Sequence, residues 1–150
     1  MSWNQKIIEE FRLNGGTVGG NFAGQKILLL HTIGAKSGIE RVNPVVTFKD
    51  GDQYIITASK AGAENNPDWY YNLIAHPEIT IEVGTDKFKV KAIVTDEPER
   101  TKLYEKMESR SKGFSEYKEK TKGIRVIPVI KLHRIDKQLE NKNVFFSLLS

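Results

Sequence analysis

Apolar positions along the chain change their spacing several times, and each change marks an element. Ile7, Ile8 and Phe11 fall on one face of a helix over about residues 4–13, with Asn4 placed to cap it, and Asn14 to Gly20 then reads as a glycine-rich loop. Lys26–Ile33 is a continuous apolar run too short for a typical helix, which predicts a buried strand. Arg41–Lys49 predicts a second strand, limited by Pro44 to an edge or a bulge. The turn Asp50-Gly51-Asp52 joins it to Gln53–Ser59, where Tyr54, Ile56 and Ala58 alternate with more exposed neighbours. Pro67, behind a possible cap at Asn66, opens a short helix over Asp68–Ala75 that His76-Pro77 ends. Glu78–Val83 and Lys87–Val94 alternate strictly, with Lys87, Lys89 and Lys91 on a solvated face, and turn on Gly84 to Asp86. Leu103, Tyr104 and Met107 give Glu97–Arg110 a helical period, a further helical piece covers Phe114–Lys120, and Val126–Ile135 is a closing strand.

About six short, hairpin-linked strands with helices inserted singly predict an α+β fold built on a small antiparallel barrel rather than a doubly wound parallel sheet. The chain of 150 residues suits one domain, with the barrel over about 24–135 and a tail over 136–150. That tail is charged and then apolar at Val144–Leu149, a stretch suited to docking on the barrel or on a second subunit, so a monomer or a homodimer is expected.

Composition narrows the chemistry. Cysteine is absent, which excludes disulfides, thiolate nucleophiles and cysteine-held metals, and His31, His76 and His133 have no metal-binding spacing. His31, inside an apolar strand, reads as a core residue. The net charge of +4 is spread among 19 acidic residues instead of being gathered in a block, which argues against nucleic acid and for a small polyanion. No run approaches the roughly 20 apolar residues of a membrane span. The N-terminal residues lack the apolar core and cleavage site of a secretory signal, so a cytoplasmic protein is expected. Membrane binding by the first helix is disfavoured because its polar face carries Glu9 and Glu10 beside Lys6 and Arg12.

Gly34-Ala-Lys36-Ser37-Gly38 lacks the GxSxG order of a nucleophile elbow, and Gly19–Lys26 has Gln25 where a phosphate-binding P-loop needs lysine. What the first segment offers is a glycine-bracketed turn in which backbone N–H groups, the Ser37 hydroxyl and the cations Lys36 and Arg41 converge on an anion. A second small-residue loop with Lys60 and Gly62 leads into Trp69, Tyr70 and Asn72, which suit a flat ring with polar edges. Together they point to a phosphorylated planar cofactor. Tyr117 is a candidate hydrogen-bond donor into the same site.

The segments Thr32–Gly38, Arg41–Pro44, Ala58–Leu73, Ala75–Pro77 and Arg125–Pro128, in this order and spacing, resemble the deazaflavin-dependent nitroreductase family, split-barrel oxidoreductases that use coenzyme F420. The resemblance implies that Lys36, Ser37 and Arg41 lie by the cofactor's phosphate and acidic tail. Asn43, Pro44 and Val45 would lie along its ring, and Ser59, Lys60, Ala61, Gly62 and Ala63 would form the loop at its edge. Trp69, Tyr70 and Asn72 would close the pocket, and Tyr117 or solvent would protonate the product. It further implies hydride transfer from the reduced deazaflavin to a small-molecule acceptor of quinone, enone or nitro type, with an FMN-binding split barrel or a non-catalytic F420 carrier as alternatives. Two positions depart from the pattern: Ala35 stands where relatives often carry a second basic residue, and Phe114 where nitroimidazole-reducing relatives place tyrosine.

Overall fold

The computed structural model describes residues 2–135, and the expected docking tail 136–150 lies outside them. Helix α1 (Trp3–Leu13) starts directly after its cap, Ser2, two residues before the cap expected from sequence. The Ser2 hydroxyl accepts the Gln5 N–H while the Gln5 side chain accepts the Ser2 N–H, so this reciprocal capping box takes the place of the cap expected at Asn4. The strands are β1 (Ile27–Ile33), β2 (Glu40–Val46), β3 (Phe48–Asp50), β4 (Gln53–Thr57), β5 (Glu78–Val83), β6 (Asp86–Val94) and β7 (Val129–Arg134). Helix α2 (Asp68–Ala75) lies between β4 and β5, and α3 (Glu99–Arg110) and α4 (Gly113–Thr121) lie between β6 and β7.

The seven strands form one antiparallel sheet in the order β2-β1-β5-β6-β7-β4-β3. Its two edge strands, β2 and β3, are separated in sequence only by Thr47. In a flat sheet those edges would stand six spacings apart, about 29 Å at ~4.8 Å each. The chain from Val46 to Phe48 spans at most about 7 Å. The sheet must therefore curl round until its edges meet, which makes it a split barrel. Thr47 ties the two sides: its N–H donates to Lys26 O at 2.9 Å beside β1, and its hydroxyl donates to Ile55 O of β4 at 2.8 Å. The single strand expected over Arg41–Lys49 is thus one chain that leaves one edge and enters the other, and it raises the expected six strands to seven.

Three apolar clusters follow from this curvature. The barrel interior holds Leu28, Leu30, Ile56, Ile81, Val90, Ile130 and Leu132, closed at one end by Trp69 and Leu73 of α2. Helix α1 covers the outer side of β1 through Ile7, Phe11, Ile27 and Leu29, so β1 is buried on both faces, which explains its unbroken apolar run. Helices α3 and α4 cover the outer side of β4 and β7 through Leu103, Met107, Phe114, Ile55 and Val129. Strand β4 consequently shows no exposed alternate face at Ile55 or Thr57, against the alternation expected there. Glu97 precedes α3 and its cap residue Pro98 instead of joining the first turn, and its carboxylate accepts the Thr101 N–H at 2.9 Å.

Candidate functional site

The β1–β2 hairpin, residues 34–39, is shaped by a close approach. A Cβ on Gly34 would lie 2.4 Å from the Ser37 hydroxyl, so only glycine lets Ser37 fold back to accept the Ile39 N–H at 3.2 Å. From α2, the buried Asn72 amide holds this hairpin in place. Its oxygen accepts the Ala35 N–H at 3.0 Å and its NH₂ donates to the Thr32 hydroxyl at 3.1 Å. Lys36 and Arg41 project from the hairpin, exposed and without an ion-pair partner among the described residues.

The loop after β4 takes an uncommon path. Lys60, Ala61 and Gly62 have φ of 46°, 53° and 82°, three successive residues in the left-handed region. Two of them carry side chains, at roughly 1–2 kcal/mol each. The loop is held by Arg125, whose guanidinium donates to Ala58 O (3.0 Å), Ser59 O (2.9 Å), Ala63 O (3.0 Å) and the Asn66 side-chain oxygen (2.7 Å). Asn66, expected to cap α2, serves this clamp instead. All four acceptors are neutral, and burial draws the Arg125 pKa below its ordinary value. Gly62 meets the last helix closely: a Cβ there would stand 2.8 Å from Lys120 Cδ and 3.3 Å from Tyr117 Cα.

Between hairpin, loop and α4 opens a cavity of about 1840 Å³. Of the residues singled out from sequence, Lys36, Ser37, Arg41, Asn43, Pro44, Val45, Ser59, Lys60, Ala61, Trp69, Asn72 and Tyr117 line it. Gly62, Ala63 and Tyr70 do not. Gly62 faces α4, Ala63 presents its carbonyl to Arg125, and Tyr70 packs against the barrel core while the half-exposed Tyr71 faces the cavity. Tyr117 stacks edge-on against Phe114 with ring centroids 5.2 Å apart, and its hydroxyl has no hydrogen-bond partner among the described residues. Sequence reasoning missed Thr57, a buried wall residue, and the part played by Arg125.

Behind β2 lies a polar cluster. The buried His31 ring sits between Glu40, 3.1 Å from Nδ1, and Glu82, 2.6 Å from Nε2. Glu82 also receives both arms of Arg12 from α1, at 3.1 and 2.7 Å. The Arg12 hydrogen bond, with a smaller contribution from His31, holds the Glu82 carboxyl below its ordinary pKa against the opposing pull of burial. His31 is thus a satisfied core residue that links β1, β2 and β5 to α1. No group of side chains suited to a metal ion occurs among the described residues, and no described helix is long and apolar enough to cross a membrane.

A split barrel with an aromatic-walled cavity at its mouth and cations left free beside it has the build of oxidoreductases that take a planar, phosphorylated cofactor. The family model for F420H(2)-dependent quinone reductase matches residues 3–133, and the chain belongs to that family. It is therefore an oxidoreductase of the class that uses coenzyme F420. It is 36% identical over 128 residues to the F420H(2)-dependent quinone reductase Rv1261c of Mycobacterium tuberculosis, covering 83% of this chain and 85% of the relative. Among solved structures, an F420-H2 dependent reductase (FDR-A) superposes with a TM-score of 0.66 at 29% identity, over 77% of this chain and 100% of that one. HutZ, a heme storage protein from Vibrio cholerae, shares the fold alone, with a TM-score of 0.54 at 16% identity over 88% of this chain and 90% of its own.

Proposed function

We propose that this protein binds reduced F420 in the cavity between the β1–β2 hairpin and the Ser59–Ala63 loop and reduces a quinone there, with enones as a further acceptor class. The observation that carries the reading is the convergence of three cations without ion-pair partners, Lys36, Arg41 and Lys60, on a cavity walled by Trp69, Phe114 and Tyr117. Unpaired cations beside an apolar slot suit a ligand with an anionic tail and a flat head.

When bound, F420H2 supplies the hydride. Lys36 and Arg41, with the Ser37 hydroxyl, hold the phosphate and acidic tail, and Lys60 adds a third positive charge. Asn43, Pro44 and Val45 of edge strand β2 would lie along the ring, Ser59 to Ala61 would form the loop at its edge, and Trp69 would complete the pocket. Gly62, Ala63, Tyr70 and Asn72 act from behind, setting the loop and hairpin instead of touching the ring. The Tyr117 hydroxyl would deliver the proton that, with the hydride, completes the quinol, and would be reprotonated from solvent. Titration of the purified protein with F420 and with FMN, followed by fluorescence, tests this: saturable binding of F420 in preference to FMN is expected. Binding of FMN without F420 overturns it.

A further inference from the structure

Edge strand β2 divides the wall of the cavity into two sides. Arg41, Asn43 and Val45 stand opposite Thr32, Leu30 and Leu28, so they face the barrel interior, where Trp69 lies. Val42, Pro44 and Val46 stand opposite His31, Leu29 and Ile27, so they face helix α1. Both sets line the one cavity, which therefore passes round the free edge of β2. Its two sides differ in charge. All of the cavity's cations, Lys36, Arg41 and Lys60, come from the hairpin, β2 and the loop after β4. What residues 2–25 contribute is uncharged, Trp3, Ile8 and Phe22 being set among polar groups that include Gln5, Asn21 and Gln25. On the α1 side of β2 the one charge is Glu40, whose carboxylate His31 already holds at 3.1 Å. Trp3 and Phe22 pack with ring centroids 5.8 Å apart and planes tilted by 34°, and Trp3 is left 55% exposed. Gln25 reaches across to the segment before α4, its Nε2 donating to the Ser111 hydroxyl at 2.6 Å. An exposed aromatic pair among neutral polar groups suits a flat, uncharged molecule with oxygens at its rim, which describes a quinone.

We propose that the α1 side of the cavity is the acceptor's seat, where the quinone lies on the outward face of the deazaflavin ring and against the Trp3 and Phe22 side chains. The inference rests on the F420 reading above and adds where, and on which residues, the acceptor binds. A hydride passes between rings in contact, roughly 3–3.5 Å apart, so the acceptor shares the cavity with the cofactor. With F420 on the side of the cations and Trp69, the α1 side is left open to the second substrate. Charge sorts the two. An anionic cofactor gains from Lys36, Arg41 and Lys60, and a neutral acceptor gives up no solvated charge on entering the uncharged side. Helix α1 thereby takes part in acceptor binding as well as covering β1.

The test measures menadione turnover at saturating F420H2, and F420 affinity by fluorescence titration, for Trp3→Ala, Trp3→Phe and the parent. Loss of the stacking face in Trp3→Ala should raise the KM for menadione about fivefold, with the F420 Kd within about twofold of the parent. Trp3→Phe keeps an aromatic face and is expected to bring KM back to within about twofold. A sulfonated naphthoquinone, the same ring system with a negative charge, should show a KM at least about threefold above that of menadione in the parent. An unchanged KM in Trp3→Ala overturns the inference and leaves the cofactor reading standing. A rise in F420 Kd that matches the rise in KM overturns it as well, by giving Trp3 to the cofactor. So does a sulfonated quinone used as readily as menadione. Absence of F420 binding by the parent overturns the cofactor reading and this inference with it. Should Trp3→Ala unsettle α1 in circular dichroism, Phe22→Leu, which keeps apolar packing on the α1 cluster and removes the ring, makes the same comparison.

Discussion

Removing the Arg125 clamp should release one wall of the site, and the size of the effect can be worked from the structure. Four charge-assisted bonds from the guanidinium hold residues 58–66. At about 1.5 kcal/mol each they contribute about 6 kcal/mol. Against this stand the left-handed conformations of Lys60 and Ala61, which cost about 3 kcal/mol together. The balance favours the observed loop by about 3 kcal/mol. Arg125→Met removes all four bonds, so the strained path loses by about the same amount and the competent loop falls below about 1% of molecules. The apparent Kd for F420 should rise by about 100-fold. Arg125→Lys, keeping about half the bonds, brings the two loop states near balance and should raise Kd only about twofold. Fluorescence titration of F420 against each variant, with circular dichroism to show an intact barrel, measures both. A folded methionine variant that binds F420 within threefold of the parent refutes the clamp argument.

Lys36→Ala should weaken F420 binding at least several-fold and flatten its salt dependence, because a charge-assisted contact to an anion is lost; titration at two ionic strengths checks this. Asn72→Ala strands the Ala35 N–H and the Thr32 hydroxyl and should lower stability by about 1–3 kcal/mol in denaturant unfolding. Glu82 has its pKa lowered on folding, so its contribution is fully present above its unfolded value near 4.5 and is lost as pH falls through the lower folded value. Melting temperature should therefore drop below about pH 4.5, and Glu82→Gln, less stable at neutral pH, should show a shallower acid limb.

Strictly local patterns were legible in the sequence. The alternation over Glu78–Val83 and the proline-started helix Asp68–Ala75 are resolved at those same residues, because each depends on one buried face against one core. Thr47 could not be read, since nothing local marks the point where an extended chain passes from one sheet edge to the other; closure of the barrel decides it. Asn66 looked like a cap because a cap and a clamp acceptor require the same amide, and its partner Arg125 lies 59 residues away. At the site, the cations and glycines could be read from composition and spacing. The choice between Tyr70 and Tyr71 is a matter of helical phase, which the Trp69 and Leu73 pair, four apart on the buried face, contains. Thr57 gave no signal, because a threonine at the end of a strand is ordinary until both faces are known to be covered.

Single-turnover mixing tests the central claim most directly: protein preloaded anaerobically with F420H2 is mixed with menadione, and the absorbance of oxidised F420 is followed. The account predicts rapid, protein-dependent reoxidation with one equivalent of quinol formed, slowed when Lys36 is replaced and the cofactor is no longer saturating. Reoxidation no faster than that of free F420H2, from protein shown to be folded and loaded, contradicts it.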